Sequence, residues 1–108
     1  MRLLPTLNPL CAVLLLAAAT LPAAAQDAGA LRQKALAATC ANCHGTHGRA
    51  VDGATVPGLA GMPAAYMVEQ LKTFKAGTRP ATVMHQLAKG YSEAQIEQLA
   101  VYFAAQKK

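Results

Sequence analysis

Cys40-Ala41-Asn42-Cys43-His44 sets two thiols three positions apart, with an imidazole directly after the second. Thiols so spaced near a helix end can each add to one of the two vinyl groups along an edge of a porphyrin. The next residue, His44, is then held beneath the iron with its ring facing the macrocycle. This is the C-x-x-C-H pattern of c-type haem attachment, with one covalent haem and its iron as the expected cofactor. A large apolar disc fixed in this way becomes the core of a chain too short to bury a generous one. Two other chemistries fit less well. Cys40, Cys43, His44 and His47 could be read as four zinc ligands, but structural zinc sites set their two ligand pairs well apart so that separate segments meet at the metal. A thioredoxin-like dithiol needs a βαβ surround, and the chain has no alternating β-branched runs to build one.

His44 supplies one axial bond, so the opposite face decides what the iron can do. Setting Met1 aside, the candidates are Met62, Met67, Met84, His47 and His85. His47 lies too close to His44 along the chain to round the macrocycle edge. Met67 sits on the apolar face of a predicted helix and reads as core. Met62, in the loop before that helix, stays open as a ligand. Met84 follows a turn, far enough from His44 for the chain to fold over the far side. His85 is its rival, but adjacent residues in a helical turn point about 100° apart, so only one of the two can face the iron. Met84 is the expected ligand, and a thioether raises the reduction potential where a second imidazole would lower it. With both axial positions filled, no site is open to substrate, and the chain reads as an electron carrier rather than an enzyme. A gas sensor would need a weak, displaceable distal bond. A small peroxidase would need distal acid/base groups, for which His85 is the one candidate.

Helices and loops must position these residues. Residues 28–39, with Leu31, Ala35, Leu36 and Ala38, predict a short Ala-rich helix running into the motif. From Gly45 to Pro63 five glycines and two prolines predict an irregular loop able to approach a ligand closely. Pro63 suits the first turn of a helix through Lys75, where Tyr66, Met67, Gln70, Leu71 and Phe74 share a face and Gly77 is the stop. Gly77 to Pro80 is a turn, and Thr82 to Ala88 a brief helical turn ending at Gly90. Ser92 with Gln95 forms a capping box, and Ile96, Leu99, Ala100 and Phe103 define the last helix. The expected fold is all-α, three to four helices around one haem.

The first 25 residues are read separately. Arg2 gives a positive start, Leu10 to Ala19 is apolar, Pro22 breaks the run, and Ala23-Ala24-Ala25 offers a cleavage site, as in a secretory signal. The apolar run is about half the roughly 20 residues needed to span a bilayer, so a membrane anchor fits poorly. The expected domains are a cleaved signal peptide at 1–25, which carries Cys11 away, and one haem domain at 26–108, without a membrane span and exported to the periplasm. Cleavage leaves 83 residues with nine basic and five acidic side chains. That excess is too thin for nucleic-acid binding.

Cys40 to His44, Pro57-Gly58-Leu59-Ala60-Gly61, the helix from Pro63 to Lys75, and Arg79-Pro80-Ala81-Thr82-Val83-Met84 followed by Lys89-Gly90-Tyr91-Ser92 together resemble class I cytochromes c of the c4 and c553 type. The resemblance covers nearly all of residues 29–106. From Phe74 to Ala105 the chain is similar to the cytochrome subunit of flavocytochrome c sulfide dehydrogenases, whose flavoprotein partner oxidises sulfide. It implies Cys40 and Cys43 as thioether attachment points, His44 as proximal ligand and Met84 as distal ligand. It implies further that the Pro57 carbonyl accepts a hydrogen bond from the proximal imidazole, fixing its orientation, and that neighbouring Leu59 lines the cofactor. Tyr102 and Phe103 match aromatic positions where the last helix crosses the first. Relatives often carry a glycine on the first helix there, whereas Arg32 and Gln33 stand nearest here. Members of the c4 type carry two haem domains, and this chain has one C-x-x-C-H.

The expected role is therefore a monohaem carrier taking electrons from an FAD-containing sulfide dehydrogenase subunit and passing them to an oxidase or another cytochrome. The alternative is a freely diffusing c553-like carrier. The chain itself contains no flavin site. Lys72, Lys75, Arg79 and Lys89 flank the Met84 segment, either as a basic rim that steers an acidic partner or as a scattered solvated surface.

Overall fold

The computed structural model describes residues 21–108, with side chains placed from Asp27 onward. The signal expected at 1–25, with Cys11, lies almost wholly outside the described residues. The chain divides into two units, Met1–Leu31 and Arg32–Lys108. Helix α1 spans Leu21–His44, 24 residues. It starts earlier and runs later than the predicted 28–39, for a physical reason. Alanine has the best helix propensity of any residue and recurs through this stretch, and a lone Gly29 costs only about 1 kcal/mol. The helix carries the whole C-x-x-C-H motif within it. Cys40, Cys43 and His44 stand at i, i+3 and i+4, and so share one face. Gly45, at φ 82°, ends the helix in a conformation that side chains resist.

A 3₁₀ turn at Thr46–Gly48 opens the irregular segment before α2, Ala64–Ala76. Pro63 caps α2 at its start, and Gly77 in the left-handed region closes it, donating its N–H to the Phe74 carbonyl at 3.0 Å. Helix α3 is Met84–Lys89, two residues shorter at its start than predicted because Thr82 and Val83 form a bend. Helix α4, Glu93–Ala104, begins with the predicted capping box: Gln95 N–H donates to Ser92 Oγ at 3.2 Å, and Ser92 N–H to Gln95 Oε1 at 2.8 Å. Ser92→Ala is expected to cost about 1 kcal/mol, read as a lower thermal midpoint with an unchanged visible spectrum. Among the described residues there is no strand, and the expected all-α fold is found, with four helices where three to four were expected.

The core joins Ala37 of α1, Met67 and Leu71 of α2, and Ile96, Leu99, Ala100 and Phe103 of α4. Ile96, Leu99 and Phe103 are fully buried. At the α1–α4 contact, Gln33 donates its side-chain amide to the Gln98 carbonyl at 3.1 Å. Ala37, one turn on, is the small buried residue there. Gln33 thus serves as a polar bridge between the two helices.

Candidate functional site

His44 ends α1 and is buried, with 9% of its surface exposed. Its Nδ1 lies 2.7 Å from the Pro57 carbonyl oxygen. A carbonyl can only accept, so Nδ1 carries the proton and Nε2 keeps its lone pair, the electronic form of a metal-ligating imidazole. Pro57 is held by the backbone around it. Leu59 and Ala60 N–H both donate to the Gly48 carbonyl, at 2.7 and 3.1 Å, closing the loop upon itself. Gly61 N–H donates to the Phe103 carbonyl at 2.9 Å, fastening the loop to α4.

His44, Cys40, Cys43, Leu59 and Met84 all line one cavity of about 650 Å³. That volume suits a large planar cofactor, since ligand cavities run roughly 300 to 1,000 Å³. Pro57 lines it too, and most other wall residues are apolar, including Leu71, Phe74, Val83, Leu99 and Phe103. Cys40 is half-buried and Cys43 exposed. Burial pushes the Cys40 thiol up from its ordinary value, and the hydroxyls of Thr39 and Tyr91 oppose that more weakly.

Two polar contacts on the wall have no counterpart in the sequence patterns. Thr39 Oγ1 donates to the Leu36 carbonyl at 2.7 Å and is hydrogen-bonded to Tyr91 Oη at 2.9 Å, tying the motif helix to the start of α4. Arg79 lies over the Phe74 ring, 4.5 Å from its centroid, and donates to Gln70 Oε1. The Thr39–Tyr91 pair joins residues 52 positions apart and leaves no local pattern.

All three methionines weighed as ligands, Met62, Met67 and Met84, touch the cavity. They differ in setting. Met67 is 4% exposed and packed in the core, whereas Met62 and Met84 are half-buried. Met62 follows the Pro57 segment closely, on the chain that orients His44; Met84 opens α3 on a separate segment. His85 is absent from the cavity wall, as the divergence of adjacent helical residues requires, and its Nδ1 is buried without a hydrogen-bond partner. His47 is exposed and engaged with Tyr102 Oη at 2.6 Å. Among the described residues no three His, Cys, Asp or Glu side chains gather as a metal site, so the four-ligand zinc arrangement does not form.

The basic residues divide. Lys72 and Lys75 both pair with Glu93, at 3.2 and 3.3 Å. Their hydrogen bonds hold the exposed Glu93 carboxyl below its ordinary value. That support is present above the unfolded carboxylate's value and lost as pH falls through the lowered one. Arg79 stands at the cavity instead. Among the described residues no helix is long and apolar enough to cross a membrane.

The family described as cytochrome c matches residues 30–106. A thiosulfate dehydrogenase electron acceptor of Thiomonas intermedia is 42% identical over 71 residues, covering 66% of this chain and 33% of that protein. The cytochrome subunit of sulfide dehydrogenase of Chlorobaculum tepidum is 39% identical over 72 residues, covering 67% of this chain and 64% of that protein. A cytochrome c4 of Pseudomonas aeruginosa is 37% identical over 84 residues, covering 78% of this chain and 40% of that protein. The chain thus spans between a third and just under two thirds of these relatives' length.

Proposed function

The chain belongs to the cytochrome c family and is an electron carrier with covalently attached haem c, and from that premise we propose that it works in the periplasm with His44 and Met84 as axial ligands, accepting electrons from a sulfide-oxidising flavoprotein. One cavity joining the C-x-x-C-H face of α1 to Met84 on α3 carries this reading. The bound haem would supply the one-electron couple. Cys40 and Cys43 tether its edge. His44, its Nδ1–H committed to Pro57, presents Nε2 to the metal, and Leu59 packs beside it. Met84 would hold the iron through its thioether, which favours the reduced state and suits an acceptor of electrons. The apolar wall limits the water at the centre, so fewer solvent dipoles must reorient when its charge changes.

Sulfide dehydrogenase as donor rests on the resemblance of residues 74–105 and on the relative of that name in Chlorobaculum tepidum. The thiosulfate dehydrogenase electron acceptor of Thiomonas intermedia favours a second reading, a separate carrier that meets its donor only transiently. Residues 1–25 support export.

The protein purified from the periplasm of its native cell tests these points together. The oxidised form is expected to show the methionine-to-iron charge-transfer band, lost in Met84→Ala and kept in Met62→Ala. Retention in Met84→Ala would overturn the distal assignment. Anaerobic sulfide is expected to reduce the haem in a preparation that also shows flavin absorption. A haem spectrum without flavin, silent to sulfide, would favour the separate carrier.

A further inference from the structure

The loop after His44 contains a contact that neither the motif nor the cavity explains. His47 has φ 55° and ψ 23°, left-handed backbone that glycine adopts freely and a branched ring does not. Its Nδ1 is 2.6 Å from Tyr102 Oη on α4, 55 residues away. Either ring tautomer serves: Nδ1–H donates to the phenolic oxygen, or the phenol O–H donates to Nδ1. Tyr102 is itself fixed, edge-on to buried Phe103 with ring centroids 5.1 Å apart and its carbonyl accepting from the Gln106 amide at 2.9 Å.

Gly48, the next residue, carries this anchor inward. Its carbonyl takes the N–H groups of Leu59 and Ala60, just beyond the Pro57 carbonyl that accepts from His44 Nδ1. Tyr102, His47, Gly48, Leu59, Pro57 and His44 thus form a chain of contacts from a rigid helix to the imidazole. We propose that His47 and Tyr102 are positioning residues that hold the Pro57 carbonyl on His44 Nδ1–H and so set the reduction potential. The inference rests on His44 as the proximal ligand. A firm Nδ1–H to carbonyl bond makes Nε2 a stronger donor and favours oxidised iron. A looser one favours the reduced form.

Redox titration of the haem-loaded protein tests this. Tyr102→Phe removes the hydroxyl and keeps the ring, whereas His47→Gly removes the side chain and relieves the left-handed backbone. Each is expected to shift the equilibrium with a reference carrier two- to fivefold toward the reduced protein, about 20 to 40 mV at 59 mV per tenfold. The double variant should shift no further than either single one. His47→Asn, whose amide can reach the place of Nδ1, should return the potential toward the parent. Unchanged potentials with only a lower melting temperature would overturn the proposal, as would additive shifts. Paramagnetic NMR of the oxidised parent reports separately whether the His44 ring is bound. An unbound ring would remove the ligand assignment first and this inference with it.

Discussion

Cys40→Ala and Cys43→Ala together are expected to yield a protein with no covalently bound haem. Each thiol has one vinyl group to add to, and the described structure offers no other cysteine at the cavity. Acid-acetone extraction should then carry all haem into the organic layer, where the parent keeps it with the polypeptide. The single variants are more informative. Cys43→Ala leaves Cys40 as the one attachment, so one vinyl group stays conjugated and the haemochrome band moves to longer wavelength. Covalent haem surviving in the double variant would refute the attachment role. Stability should fall as well, because seven buried residues form the core cluster and the cofactor completes it.

Gly48→Ala is the second large effect, and it acts through packing rather than chemistry. Gly48 has φ 76°, and a Cβ there would lie 2.8 Å from Phe103 Cδ1, 2.9 Å from the Ala60 nitrogen and 3.0 Å from Leu59 Cβ. Left-handed backbone costs an alanine about 1 to 2 kcal/mol, and overpacking a fixed neighbour costs about 1 to 3 more. A loss of about 2 to 5 kcal/mol would consume much of the stability of a domain this small. Two of the three neighbours belong to the segment that aims Pro57 at His44, so bound haem should fall along with the melting temperature. Gly53→Ala is the control: its φ is 79°, yet nothing lies within 4 Å of its Cβ position. Only the backbone cost should appear there. Equal losses at the two positions would show that packing against Phe103 does not matter.

What could be read from the sequence follows the range of each interaction. The capping box at Ser92 and Gln95, the stop at Gly77 and the apolar face of α4 are encoded within a few residues, and the structure has each where it was expected. The extent of α1 was not so encoded. Its alanines extend the helix toward the amino terminus, whereas the motif residues have no strong helix propensity and only the backbone at Gly45 marks the end. The proximity of Pro57 to His44 came from family resemblance, and the 2.7 Å contact was beyond any local rule. Thr39 to Tyr91 and His47 to Tyr102 were invisible for the same reason, joining residues 52 and 55 positions apart. Residue type could not decide among the methionines, because three of them reach the same cavity. The four flanking basic residues read alike in one dimension, although two of them share Glu93.

The loop that aims His44 is fastened almost entirely to the far end of the chain. Tyr102, the Phe103 carbonyl and the Lys107 carbonyl, which accepts from Arg49 Nε at 2.8 Å, are its anchors. Contacts of such sequence separation raise the contact order and slow the search for the native state. During synthesis from the amino terminus, the C-x-x-C-H segment emerges long before the helix that fastens its surroundings. Closure over the completed prosthetic group must wait for the last turn of α4.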